Sequence, residues 1–259
     1  MKLLVFGAAG WTGRAVLSDL QGQGQHSIRA FERNDKTWQS WEDIDGPIPV
    51  GMEIVYGDIA DFDSVDRAME GVDAVIHLAV YFPDKNAHQA ARDDAPFLVN
   101  LKGLWNVLEA SRRHQVQRVV HMGSCHVAHP MGIFYSADVR RPDGHLYAVC
   151  KRLQEEMCRQ FYEAHGLSIV VFRQDYIVDS RLGIGRFRDP LGEDNDQLQA
   201  GWVCRHDLAA ACRLAIEKQG IDFEVLHVVG TANAEKTCNV ARTREVLGLE
   251  FSGQLDHYR

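Results

Sequence analysis

The sequence lacks the long apolar run that a membrane-spanning helix needs, since no stretch approaches about 20 consecutive apolar residues. It also lacks internal repeats and low-complexity segments. Hydrophobic residues make up 46% and charged residues 25% of the 259 residues, a composition typical of a globular protein. We therefore expect a globular protein with a substantial core and no membrane partner.

A surplus of positive charge is also missing. The formal net charge of −8 provides no basic face to neutralise nucleic-acid phosphates, so nucleic-acid partners are excluded. The six cysteines include no CxxC pair and lack the tight spacing of a disulfide framework. We expect reduced thiols, a cytoplasmic location and a small-molecule ligand.

Strand-like and helix-like segments alternate along almost the whole chain. This alternation predicts a doubly wound parallel sheet (a Rossmann α/β fold) with a small C-terminal substrate-binding portion. We expect residues 1–178 to form the dinucleotide-binding core with the catalytic residues. Residues 179–259 should complete the sheet and the substrate pocket. The predicted strands are 2–7, 27–31, 52–56, 74–79, 118–123, 168–173 and 224–229, and the predicted helices are 12–21, 64–69, 96–113, 146–165, 207–218 and 235–247.

Three long segments, 34–51, 131–145 and 179–201, do not follow this alternation. Loops of such length in a compact domain are usually functional or mobile. The last two follow predicted strand ends on the side of the sheet where open α/β folds bind ligands. We expect the substrate to bind there.

A glycine-rich turn follows the first predicted strand in the stretch VFGAAGWTGR. Gly7, Gly10 and Gly13, with Trp11 and Thr12 between them, allow a tight turn that brings a pyrophosphate close to a helix N-terminus. Such a turn is a weak signal alone, but an acidic residue, Glu32, follows about twenty residues later, at the end of the next strand.

Glu32 favours NAD, because a carboxylate there accepts hydrogen bonds from the adenosine ribose hydroxyls. The next residue, Arg33, could instead pair with the 2′-phosphate of NADP, so NADP stays possible. The ends of the third and fourth strands should also face the cofactor. These strand ends supply Asp58, Ile59, Leu78, Ala79 and Val80.

Tyr147 and Lys151 lie four residues apart at the start of a predicted helix and therefore project from one face. A tyrosine with a pKa near 10 is a poor base at neutral pH, and a nearby ammonium group favours the phenolate. The pair predicts a tyrosine base that takes a hydroxyl proton while hydride passes to a nicotinamide.

These motifs occur in an order that resembles the extended short-chain dehydrogenase/reductases of the NAD-dependent epimerase/dehydratase group. The similar segments are GAAGWTG, Asp58, Asn100 in VNLKGLWNVLEA, Ser124 in HMGSCHV, YAVCK and WVCRHDLAAA, which together span roughly residues 1–230. The resemblance implies that Ser124 bonds the substrate oxygen, Tyr147 is the acid/base, and Lys151 holds the nicotinamide ribose. It also implies that Asn100 supports a proton relay, and that the protein is a homodimer.

Within this group the chain is most similar to uronate dehydrogenases, which oxidise the C1 hydroxyl of a hexuronic acid to a lactone with NAD. That resemblance implies an arginine ligand for the sugar carboxylate, and Arg181 and Arg186 are the candidates. Tyr176 stands near the family's loop serine, Cys125 replaces its asparagine, and His126 matches its histidine. We include all five as candidate substrate-binding residues.

Other functions stay open at this stage. A sugar epimerase would use the same bound NAD transiently, and a non-catalytic dinucleotide-binding regulator would keep the fold without turnover. His121, His126 and His129 lie close together in the sequence, but their spacing matches no tetrahedral metal site, so we expect no metal. The long predicted helices 96–113 and 146–165 could pair two copies of the chain.

Overall fold

Seven parallel strands form the central sheet of the computed structural model, which describes residues 1–82, 94–127, 144–192, 201–236, 238–255 and 258. Its strands are β1 (Lys2–Phe6), β2 (Ser27–Glu32), β3 (Glu53–Tyr56), β4 (Ala74–His77), β5 (Arg118–Met122), β6 (Ile169–Arg173) and β10 (Phe223–His227). Their order across the sheet is β10-β6-β5-β4-β1-β2-β3. The predicted doubly wound fold is therefore confirmed.

Helices cover both faces of this sheet. They are α1 (Trp11–Gln23), α2 (Glu42–Asp45), α3 (Phe62–Ala68), α4 (Gly103–Arg113), α5 (Leu146–His165), α6 (Arg205–Glu217) and α7 (Val240–Leu247). Alternate residues of β1 separate two cores: Leu3 and Val5 pack with α1 and α6, whereas Leu4 and Phe6 pack with α3, α4 and α5. The inner strands β1, β4, β5 and β6 are therefore buried on both sides, as their continuous apolar sequences predict.

A second, three-stranded sheet was not predicted. It has the order β8-β7-β9 and consists of β7 (Tyr176–Asp179), β8 (Ile184–Gly185) and β9 (Trp202–Cys204). Strands of two to four residues are too short to give a periodic signal in the sequence. Strand β7 follows β6 directly and carries the chain from the central sheet towards the predicted substrate loop.

Helix boundaries differ from the prediction in three places. The predicted helix 235–247 is interrupted, because a 3₁₀ turn (Ala232–Lys236) precedes α7. The predicted helix 96–113 begins as a π-helix over Pro96–Lys102 before α4. The segment 34–51, expected as a loop, contains a 3₁₀ helix (Asp35–Trp41) followed by α2.

Residues beyond 178 contribute β10 to the edge of the central sheet, beside β6. The domain boundary at residue 178 stays a prediction. All six cysteines are buried and none forms a disulfide. In the part of the chain that the structure describes, every helix is too short or too polar to cross a bilayer.

Candidate active site

A cleft of about 1060 Å³ opens at the carboxyl ends of the central strands. Parallel strands end at the same edge of the sheet, so side chains distant in sequence meet there. The cleft is lined by all the predicted cofactor residues: Gly7, Gly10, Trp11, Thr12, Gly13, Glu32, Arg33, Asp58, Ile59, Leu78, Ala79, Val80, Tyr147 and Lys151. It is also lined by Ser124, Tyr176 and Arg186, but not by Asn100, Cys125 or Arg181.

The glycine turn is built so that no side chain fits. Gly7 has φ +78°, and a Cβ there would lie 2.8 Å from the backbone nitrogen of Ala79. A Cβ at Gly13 would lie 2.2 Å from the carbonyl oxygen of Gly7. Gly10 precedes the first residue of α1 and places no capping side chain over the helix N-terminus. The free amides of α1 therefore face the cleft, an arrangement that fits a pyrophosphate.

Glu32 at the end of β2 is 8% exposed, and its carboxylate supports the glycine turn directly. Oε1 accepts a hydrogen bond from the backbone amide of Ala9 at 2.7 Å. Burial raises the pKa of Glu32, while hydrogen bonds from the amides of Ala9 and Arg33 oppose the shift. The same carboxylate thus lines the cleft and holds the turn, which the sequence did not reveal.

Arg33 and Asp58 are exposed at the rim of the cleft. Asp58 Oδ1 accepts a hydrogen bond from the amide of Ala60 at 2.9 Å, which fixes the turn after β3. Both side chains keep polar atoms available to a ligand at the Glu32 end of the cleft.

Lys151 and Tyr147 meet as predicted on one face of α5. Lys151 Nζ lies 5.8 Å from the centre of the Tyr147 ring and donates a hydrogen bond to the carbonyl of Met122 at 2.7 Å. Lys151 is 3% exposed, and burial lowers its pKa to about 7. The ammonium group is therefore only partly populated at neutral pH.

The expected acidic phenol is wrong for this structure. Burial raises the pKa of Tyr147 to about 12, although a hydrogen bond with Ser124 and the charge of Arg186 both lower it. Burial outweighs these two effects because it withdraws the phenolate from water. Ser124 is 3% exposed and lies beside the phenol, as a residue that contacts the substrate oxygen must.

One wall of the cleft contains an aromatic stack. The ring of Phe82 lies 5.0 Å from that of Tyr147, nearly parallel to it. The Arg186 guanidinium carbon lies 3.7 Å from the centre of the Phe82 ring on the same wall. Among the described residues no carboxylate pairs with Arg186, and burial lowers its pKa. A half-buried guanidinium without an acidic partner is suited to bind an anion.

Arg181 does not line this cleft, and its role as a carboxylate ligand stays a prediction. Its side chain is exposed and lies outside the cleft, since the turn after β7 directs it to solvent. Tyr176 lines the cleft, but its hydroxyl donates a hydrogen bond to Asp189 at 3.0 Å. Burial and this carboxylate raise the pKa of Tyr176 to about 12.

Asn100 and Cys125 also lie away from the cleft. The side-chain amide of Asn100 forms two hydrogen bonds with the backbone of Tyr81. Its Oδ1 accepts from the Tyr81 amide at 2.8 Å, and its Nδ2 donates to the Tyr81 carbonyl at 3.0 Å. Asn100 therefore positions the loop after β4, and its part in a proton relay stays a prediction. Cys125 is 2% exposed and packs against Cys238, behind the cleft wall. The side chain of His126 lies outside the described residues, as does His129.

Several lining residues were not predicted. Those with polar or aromatic side chains include Thr37, Ser40, Trp41, Phe82, His145, Gln174, Asp175 and Phe187. Gln174 and Asp175 follow β6 directly, so the strand-end rule that found Asp58 could have found them. Trp41 lies in the long segment 34–51, whose length was the only signal.

Two buried histidines lie beneath Lys151. The Nδ1 atoms of His77 and His121 are 2.9 Å apart, and both rings are fully buried. Burial lowers the pKa of His77 to about 3 and that of His121 well below its usual value. In the described ranges, no group of three metal-binding side chains forms, and this pair is best described as a neutral hydrogen-bonded pair.

Comparison with known proteins agrees with this geometry. A sequence model described as the NAD dependent epimerase/dehydratase family matches residues 3–175. The chain is 24% identical to an L-arabinose 1-dehydrogenase (NAD(P)(+)) of Haloferax volcanii, covering 95% of this chain and 94% of the relative. It is 27% identical to a uronate dehydrogenase of Pseudomonas syringae pv. tomato, covering 88% of this chain and 74% of the relative.

The fold is that of solved structures in the same group. The crystal structure of a uronate dehydrogenase from Agrobacterium tumefaciens superposes with a TM-score of 0.74, covering 97% of this chain and 84% of that chain. Sequence identity is 22%, so this likeness supports the fold alone.

Proposed function

The chain belongs to the NAD-dependent epimerase/dehydratase family, and from this premise we propose that it oxidises the C1 hydroxyl of a free sugar acid to a lactone with NAD. One observation carries the choice of substrate: the guanidinium of Arg186, which pairs with no carboxylate of the described residues, lines the same cleft as Ser124 and Tyr147. Uronate dehydrogenases among its relatives support this reading.

The dinucleotide would lie along the glycine turn. The amides at the start of α1 would bind its pyrophosphate, and Glu32 would accept hydrogen bonds from the adenosine ribose. The arrangement favours NAD, since Glu32 is buried beside the turn while Arg33 is exposed at the rim. When bound, the dinucleotide supplies the hydride acceptor.

The proton chemistry belongs to the chain itself. Ser124 would bond the substrate hydroxyl oxygen and orient it towards Tyr147, whose phenolate takes the proton as the C1 hydride departs. Because burial raises the pKa of Tyr147 to about 12, the reaction should be faster in alkaline solution. Lys151, fixed on the carbonyl of Met122, would hold the nicotinamide ribose.

The substrate would be a free sugar acid. The planar fork of Arg186 can bond both oxygens of a carboxylate. A uronate therefore fits better than a nucleotide-linked sugar.

A panel of substrates tests this function. NADH formation would be followed by absorbance with glucuronate, galacturonate, neutral aldoses and UDP-sugars, and with NADP in place of NAD. We expect the highest kcat/KM with a uronate and NAD. Activity confined to UDP-sugars would contradict the proposal.

Tyr147→Phe provides the matched variant, because phenylalanine keeps the ring that stacks on Phe82. Loss of the phenol should lower kcat by about 100-fold or more. Equal turnover by the variant would remove Tyr147 from the mechanism.

A neutral aldose is the second candidate substrate. The L-arabinose 1-dehydrogenase of Haloferax volcanii matches this chain over 94% of its own length, which favours a sugar without a carboxylate. The same panel decides between the two, since only a uronate would require Arg186.

We also propose a homodimer and a cytoplasmic location. Exposed apolar side chains lie on the two long helical segments: Phe97, Leu98, Trp105 and Leu153. Such a face suits pairing with a second copy. Light scattering of the purified protein should give twice the chain mass, and a monomer at micromolar concentration would contradict this assembly.

A further inference from the structure

The segment 35–47, which we call the strap, forms a wall of the dinucleotide cleft that the proposed function does not use. It consists of the 3₁₀ helix Asp35–Trp41, helix α2 and the two residues that follow. Thr37, Ser40 and Trp41 line the cleft beside Glu32. Anything that moves the strap therefore changes access to the adenosine side of the cleft.

Two buried arginines anchor the far end of the strap. Arg14, 4% exposed, donates hydrogen bonds to the carbonyls of Gly46 and Pro47. Arg205, 2% exposed, binds both carboxylate oxygens of Asp45 at 2.7 and 2.8 Å. Breaking either contact would leave a buried polar group without its partner, so this end is expected to stay fixed.

A third arginine holds the near end, and this one is exposed. Arg188 binds Asp43 with both nitrogens, at 2.5 and 2.9 Å, and donates to the carbonyl of Ser40 at 2.9 Å. The side chains are 47% exposed for Arg188 and 58% for Asp43. Water can replace this contact at little cost, unlike the two buried anchors.

The backbone at Arg188 is unusual as well. Its φ of +64° lies in the left-handed region, which non-glycine residues seldom adopt. The amide of Arg188 donates to the carbonyl of Gly185 at 3.0 Å, which closes the turn after β8. This uncommon backbone conformation occurs at the residue whose guanidinium extends to the strap.

Aromatic rings connect the exposed contact with a buried anchor. Arg188 lies 5.0 Å from the Trp41 ring, Trp41 lies 4.6 Å from Trp11, and Arg205 lies 4.0 Å from Trp11. Both tryptophans line the cleft. This row of contacts therefore connects the Arg188 contact with the cleft wall at the start of α1.

We propose that Arg188 and Asp43 form a releasable latch that keeps the strap over the bound dinucleotide and slows its dissociation. The inference rests on the proposed function, because it assumes that the cleft binds a dinucleotide. The buried anchors serve as the hinge. When the latch opens, Ser40 and Trp41 can move away from the cleft while residues 45–47 stay in place.

Stopped-flow fluorescence of NADH tests the latch without catalysis. NADH bound to the protein is displaced with excess NAD and its dissociation rate is measured. Arg188→Asn removes the guanidinium but tolerates the left-handed backbone, and Asp43→Asn removes the carboxylate. Arg188→Asn should release NADH about two to five times faster than the original protein, Asp43→Asn should accelerate release by no more than this, and the double variant should be no faster than Arg188→Asn alone.

Arg244→Ala supplies the matched control. Arg244 and Glu235 form another exposed ion pair, with side chains 50% and 59% exposed, and Arg244 lies over the ring of Phe251. This pair is outside the dinucleotide cleft, so its loss should leave NADH dissociation unchanged.

The outcomes separate the two proposals. If the original protein binds no NADH, the proposed function falls. If it binds NADH and both latch variants release it at the original rate, only the latch is refuted. Equal acceleration by Arg244→Ala would also refute the latch, because the effect would then follow from any lost surface charge. Circular dichroism and thermal unfolding confirm that each variant is folded.

Discussion

Replacing Arg186 by alanine should change which sugars the protein oxidises. In the structure this guanidinium lines the cleft, lies 3.7 Å from the centre of the Phe82 ring and has no acidic partner among the described residues. A bound uronate would supply that partner. The variant should therefore lose uronate oxidation and retain most of its activity on a neutral aldose.

The magnitude follows from the two hydrogen bonds that the planar fork can form. A hydrogen bond to a charged group contributes about 1.5–3 kcal/mol, and partial exposure of Arg186 reduces the benefit of a pair to about 2–4 kcal/mol. Since 1.36 kcal/mol corresponds to tenfold, kcat/KM for the uronate should fall by roughly 30- to 1000-fold. For a neutral aldose the loss should be at most about tenfold, from the missing cation near Tyr147.

Initial rates of NADH formation with glucuronate and with L-arabinose measure both losses. Arg181→Ala is the control, because Arg181 is exposed and outside the cleft, and it should leave both rates unchanged. The reasoning is refuted if Arg186→Ala lowers kcat/KM for both sugars by the same factor. Arg186 would then support the stack with Phe82 rather than recognise a carboxylate.

Three further variants test the surroundings of the cleft. Glu32→Gln keeps a hydrogen-bond acceptor for the glycine turn but removes the charge. We therefore expect the ratio of the NADP dissociation constant to the NAD dissociation constant to fall about tenfold. Equilibrium titration by fluorescence measures this ratio, and an unchanged ratio would contradict the role of Glu32. His77 and His121 are buried and neutral, and the pKa of His77 is lowered to about 3, so the unfolded state binds more protons below pH 6.5 and stability falls as the pH drops. Urea unfolding at pH 6.5 and 5.0 should show a loss of about 2 kcal/mol from His77 alone, and a His77→Leu, His121→Leu double variant with the same pH dependence would disprove this origin. Glu155→Ala leaves the fully buried Arg173 without its carboxylate and should lower the free energy of unfolding by about 3–5 kcal/mol. Chemical denaturation measures this loss, and Glu156→Ala, on the exposed face of the same helix, is the control.

The central sheet was predictable because its inner strands are buried on both faces. Continuous apolar runs such as those of β4 and β6 can only be covered by helices on both sides, which fixes the fold class. The three-stranded sheet was not predictable. Its strands pair over only two or three residues each, too few for a periodic pattern in the sequence.

The residues that line the dinucleotide side of the cleft were predictable because their positions depend on backbone geometry that the sequence indicates directly. Glycines that permit close approach, and residues at the carboxyl ends of parallel strands, define that side regardless of side-chain packing. The substrate side depends on how loops direct individual side chains. Arg181 and Arg186 are equivalent in the sequence, and only the turn between β7 and β8 sends one to solvent and the other over Phe82.

The phenol of Tyr147 shows how a correct pair of residues can still give the wrong electrostatics. The sequence places Lys151 one helical turn away and suggests that its charge lowers the pKa of Tyr147. Burial acts on both groups, however, and favours the neutral form of each: it lowers the pKa of Lys151 to about 7 and raises that of Tyr147 to about 12. The cation that does lower the pKa of Tyr147 is Arg186, which contacts the Phe82 ring that stacks on Tyr147. Arg186 therefore affects both carboxylate recognition and proton transfer, and only the ratio of activities on charged and neutral sugars separates these two effects.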